Sequence, residues 1–101
     1  MKKLKKKDLN NLYEAVVSLK TVEECKDFLR DLLTKTEIDE AAMRWKVARL
    51  LNDGKTYIEI EKITGLSSTT VARVHKWLKK GKGGYSKMLR NISQTTINKR
   101  L

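Results

Sequence analysis

Thr69, Arg73, Lys76 and Lys80 recur at intervals of three and four residues, the spacing that stacks side chains along one face of an α-helix. They carry a hydroxyl, a guanidinium and two ammonium groups, with no acid among them. Such a stripe donates hydrogen bonds to phosphate oxygens and to the acceptor edges of bases, which is the chemistry of nucleic-acid recognition. The opposite side of the same helix carries Val71, Val74, His75 and Leu78. One face is therefore suited to a protein core and the other to a polyanion.

The elements that must position this stripe lie in the run TYIEIEKITGLSSTTVARVHKWLKK, residues 56–80. Apolar Ile60, Ile63, Leu66, Val71, Val74 and Leu78 predict two helices with one buried side. Gly65 stands where the first helix must stop, since a residue without Cβ takes positive φ at no steric cost. Thr56 followed by Glu59 forms a capping box, and Ser67 or Ser68 offers a hydroxyl to the second helix. The spacing is that of a helix-turn-helix whose second helix enters a major groove. In that reading Ser68, Thr69, Thr70 and Arg73 face the bases, Lys55, Thr56, Lys76 and Lys80 hold phosphates, and Ser67 in the turn completes the DNA-binding set.

Other chemistries find little support. Cys25 is the only cysteine, so an intrachain disulfide and a thiolate metal cage are both excluded, and no metal ligand set is expected. His75 is the only histidine, and its helical angle points it toward the buried side, as a satisfied core imidazole. No phosphate loop, nucleophile elbow or paired-carboxylate spacing appears, so the chain is not expected to be an enzyme. No apolar run is long enough for a membrane span, and MKKLKKKDLN lacks the apolar segment of a secretory signal. A cytoplasmic location is the expectation.

Charge sharpens the argument. The 23 Lys and Arg outnumber the 12 Asp and Glu, a net charge of +11 at pH 7 over 101 residues. Residues 1–53 carry 12 basic and 10 acidic side chains, whereas residues 54–101 carry 11 basic and 2 acidic. The positive field is thus centred on the helix pair and the segment after it, and a polyanionic partner is the simplest explanation.

In chain order, residues 1–7 form a basic, flexible arm, and residues 8–92 a single helical domain. Its first helix runs from Asp8 to Lys20, with Asp8 available as a cap and Leu9, Leu12, Tyr13, Val16 and Val17 at helical spacing. Thr21 and Glu24 box the start of a second helix bearing Val22, Cys25, Phe28, Leu29 and Leu32. Both faces are broader than a small monomer covers, which predicts burial against a second copy of the chain. A third helix opens at Thr34, with Glu37 three residues on, and runs through Ile38, Ala41, Ala42, Trp45, Ala48, Leu50 and Leu51 to a stop near Asn52–Gly54. After the breaks at Gly81, Gly83 and Gly84, Tyr85, Met88, Leu89 and Ile92 predict a sixth, short helix. Residues 93–101 are expected to fray.

The run Leu33-Thr34-Lys35-Thr36-Glu37, the segment from Met43 to Gly54 and the motif from Ile60 to Arg73 together resemble the Trp repressor family. Within it, the resemblance is to the Trp-repressor-like (YerC/YecD-type) branch, and it spans roughly Leu9 to Leu89. It implies an all-α, six-helix intertwined homodimer with a helix-turn-helix head. It also implies a DNA-binding transcriptional regulator, a repressor by analogy, acting on a palindromic operator in double-stranded DNA, with a small-molecule effector possible. By motif, Thr34, Arg44 and Arg73 match family positions that hold a corepressor, a role suited to guanidinium forks on a carboxylate. Val74 stands where the repressor itself has glycine. No cofactor is expected; an amino-acid-like corepressor is possible by the resemblance, and Val74 argues against tryptophan. Leu66-Ser67-Ser68-Thr69-Thr70 departs from the repressor's glycine-alanine turn, so the operator sequence does not carry over. The alternative that the residues leave open is a basic helical module that binds RNA or an acidic protein.

Overall fold

The computed structural model describes residues 2–100, with side chains through residue 93. Six helices follow in order: α1 Lys6–Val17, α2 Val22–Leu32, α3 Lys35–Asn52, α4 Tyr57–Thr64, α5 Ser68–Lys80 and α6 Gly84–Arg100. No strand is present among the described residues, and no helix among them is long and apolar enough to cross a membrane. The chain divides within α3 into two compact units, residues 1–38 and 39–101.

In the first unit, caps set the helix starts. The Thr21 hydroxyl accepts the Glu24 N–H at 3.1 Å, which opens α2. At α3 the exchange is reciprocal. The Thr34 N–H donates to Glu37 Oε1 at 2.9 Å, and the Glu37 N–H donates to Thr34 Oγ1 at 3.1 Å. The backbone N–H of Thr34, and after it the Thr34 side chain, hold the Glu37 carboxyl below its ordinary value. A depressed folded-state pKa adds stability above the unfolded value and loses it as pH falls through the folded one. The thermal midpoint of Glu37→Gln should therefore lie below that of the native chain at neutral pH, and the gap should close below pH 4.5. Circular dichroism melts at several pH values check this.

Three boundaries differ from the expected ones. α1 begins at Lys6, inside the segment assigned to the arm, and ends at Val17, short of Lys20; Asp8 is its third residue, not its cap. From that position the Asp8 carboxylate accepts the Lys5 N–H at 3.1 Å, as an acid at the third helical position does in a capping box. α6 carries on to Arg100, past the expected end at Ile92, because no glycine or proline after Gly84 interrupts it. Leu101 lies outside the described residues.

Neither α1 nor α2 buries a residue in the single chain. Val17 and Val22 remain 83% and 81% exposed, and Tyr13, Val16 and Leu32 are exposed as well.

The second unit holds the core. Val47 and Ala48 of α3, Ile60 of α4 and Val71 and Val74 of α5 are buried together, with Trp45, Leu51, Tyr57 and Leu66 packed on them. Val47 lies beside the stripe counted from Ile38 and was not among the expected core positions. Ile63 was among them, yet it is exposed. The Trp45 and Tyr85 rings stack at 6.2 Å and 14°, which seats α6 against α3.

α4 and α5 meet through a three-residue turn. The Thr56–Glu59 capping box opens α4, with the Thr56 N–H donating to Glu59 Oε2 at 2.9 Å. Gly65 closes it in the left-handed region, φ 74 and ψ 5. A Cβ at Gly65 meets no neighbour, so strain there comes from the backbone alone. Gly65→Ala should cost about 1–2 kcal/mol, read as a lower denaturant midpoint at unchanged slope.

Candidate nucleic-acid interface

Burial sorts α5 into the two faces that its spacing predicts. Val71 and Val74 are buried, and His75 and Leu78 are half-buried. Thr69, Arg73, Lys76 and Lys80 are all exposed. Helix register alone produces this, since residues three and four apart share a face. Lys79 and Ala72 also reach solvent on the outer surface, so the basic face is wider than the four residues first singled out. Lys79 was legible in the sequence as one more cation in the last helical turn.

The remaining residues named from sequence divide by what their side chains already do. Ser67 is the cap of α5, its hydroxyl accepting the Thr70 N–H at 3.4 Å. Thr70 is half-buried, with its hydroxyl 3.2 Å from Ser67 Oγ. Thr56 is held in its capping box. Ser68 and Thr69 open the helix and face solvent. Lys55 is exposed, and its backbone N–H donates to the Leu50 carbonyl at 3.1 Å, which anchors the entry to α4.

Arg44 and Arg73 come together at a concavity of about 660 Å³ whose floor includes Val74 and whose walls include Glu40, Trp77 and Tyr85. Trp77, which the sequence reading did not single out, is 57% exposed there. Its place one turn beyond Arg73 on the wheel is the signal that would have found it. Thr34 lies in the first unit, where its hydroxyl accepts the Glu37 N–H and caps α3.

His75 is not a core residue. Its Nδ1 lies 2.6 Å from the Tyr57 hydroxyl, and the two rings meet edge to face at 5.7 Å. The pair joins α4 to α5 across eighteen positions of sequence.

Six helices, a small core in the second unit and a capped helix pair whose second helix presents an acid-free cationic face define a small all-α protein. The model of the Trp repressor protein family matches residues 7–93, and the chain belongs to that family, one of DNA-binding regulators. It is 42% identical over 93 residues to the uncharacterized protein YerC of Bacillus subtilis (strain 168), covering 92% of this chain and 89% of that one. Among solved structures it is similar to a TrpR-like protein from Eubacterium eligens, with TM-score 0.83 and 34% identity over 89% of this chain and 93% of that one. A second crystal structure, from Staphylococcus aureus, matches with TM-score 0.82 and 34% identity over 88% and 89% of the two chains.

Proposed function

We propose that this protein is a homodimeric transcriptional regulator, acting as a repressor, that places α5 of each protomer in a major groove of a palindromic operator. The observation that carries the reading is the outer face of α5, where Thr69, Arg73, Lys76 and Lys80 are exposed together without an acid among them. A merely solvated helix face mixes both charge signs. Ser68, Thr69 and Arg73 are the base readers in this account, and Lys55, Lys76 and Lys80 hold the backbone. Thr56, Ser67 and Thr70 act mainly through the caps and hydroxyl contact that fix the turn.

The uncovered apolar faces of α1 and α2 support the dimer, because burying them needs a second surface. Two-fold dimers of helix-turn-helix proteins space their recognition helices by one turn of DNA, about 34 Å. An anisotropy titration of duplex DNA against salt tests the reading. If the dimer neutralises about eight phosphates, log affinity falls against log salt with a slope near −7. A salt-insensitive complex, or a particle in light scattering with the mass of one 11.7 kDa chain, contradicts it.

An amino-acid-like effector belongs to the same proposal. Arg44 and Arg73 suit its carboxylate and Glu40 its ammonium, at the concavity they share. Tryptophan is not the ligand proposed, because buried Val74 occupies the floor where the family's repressor has glycine. Calorimetry with the free amino acids decides this. Heat from one of them that is lost in Arg44→Ala supports an effector, and silence across the set rejects it.

A further inference from the structure

Between the buried and the basic faces of α5 lies a small concavity of about 310 Å³ lined by Ala72, His75, Lys76, Lys79 and Lys80. No acid lines it. Ala72 leaves room for close approach, and the three lysines set a positive potential around it. The remaining wall is the imidazole of the only histidine in the chain.

The orientation of that imidazole is fixed from one side. A phenol is a far better hydrogen-bond donor than acceptor, so at 2.6 Å the Tyr57 O–H donates to His75 Nδ1. With Nδ1 accepting, the neutral ring carries its proton on Nε2. His75 is half-buried, yet no buried side-chain nitrogen or oxygen lacks a partner among the described residues. Since Tyr57 takes up only Nδ1, the Nε2–H reaches solvent.

We propose that this concavity seats one phosphodiester of the bound nucleic acid, with His75 Nε2–H donating to a phosphate oxygen and Tyr57 acting as the positioning residue behind it. The lysines supply charge around the same phosphate, and the histidine supplies direction. This rests on the reading that α5 docks on DNA, and it gives His75 a part in that interface.

Because the chain has one histidine, a long-range proton–nitrogen spectrum of uniformly labelled protein reports this ring alone. In alkaline buffer, where an imidazole is neutral, the free protein should show the Nε2–H tautomer. Adding a mixed-sequence duplex at low salt should shift Nε2 more than Nδ1 and slow exchange of its proton, whereas inorganic phosphate at equal phosphate concentration should not. Asparagine imitates Nδ1 and glutamine imitates Nε2. His75→Asn should therefore keep the thermal midpoint and weaken duplex binding about ten-fold, the value of a hydrogen bond to a charged acceptor. His75→Gln should stay within about three-fold of the native affinity for the same reason. Tyr57→Phe should bring both tautomers into the spectrum. The proposal is overturned if the free ring is the Nδ1–H tautomer. It is equally overturned if the duplex binds while the ring signals stay unmoved and His75→Asn binds like the native chain. A native protein that binds no duplex at all is the distinct outcome that rejects the underlying DNA reading, and this proposal with it.

Discussion

Replacing Lys76 and Lys80 together by alanine is expected to flatten the salt dependence of duplex binding. Both ammonium groups are exposed on the outer face of α5 and neither belongs to the core. Each phosphate contact contributes about 0.9 to the slope of log affinity against log salt. In the proposed dimer, two lysines in each protomer therefore account for about 3.6 of an expected slope near −7. Affinity should fall most at low salt and similarly for every sequence, because phosphates carry no base information. Stability should stay within about 0.5 kcal/mol, as for surface substitutions generally. An unchanged slope would mean that DNA does not touch this face.

The largest effect on stability is expected from Ile60→Ala. Ile60 is fully buried among Val47, Ala48, Val71 and Val74, so truncation removes contacts to both α3 and α5 at once. The lost burial and the cavity together should cost about 2–5 kcal/mol. For a domain of this size that is a large share of a total of about 5–15 kcal/mol. Ile58, two residues earlier on the same helix, is 66% exposed, and Ile58→Ala should move stability by about 0.5 kcal/mol or less. Chemical denaturation of the two variants side by side checks the contrast. Equal costs would show that α4 is not seated as described. DNA binding should fail in Ile60→Ala near its melting midpoint, since α4 and its turn hold the start of α5.

Much of this was legible because its causes are local. A threonine with a glutamate three residues on marked the starts of α2, α3 and α4, and each pair forms the expected hydrogen bond. Gly65 marked the turn because only left-handed backbone fits there. Helical register alone separated Val71 and Val74 from Arg73 and Lys76. Local signals also misled: Asp8 looked like a cap and is the third residue of α1, a role equally suited to an acid. What sequence did not disclose is tertiary. His75 was assigned to the core because a helical wheel gives an angle and not a depth, and its partner Tyr57 lies on another helix. Arg44 and Arg73 were paired through the family resemblance, and the structure brings them to one concavity. Thr34, grouped with them on the same ground, caps the start of α3 in the first unit.

Selection of bound duplexes from a random pool with the native protein shows whether a two-fold dimer reads DNA sequence through α5. An enriched palindrome with half-sites about one helical turn apart is expected, and a consensus that changes in Thr69→Ala while overall retention persists. Recovery of duplexes with no consensus, or with an unpaired single motif, would contradict it and leave a basic helical module that binds polyanions without reading them.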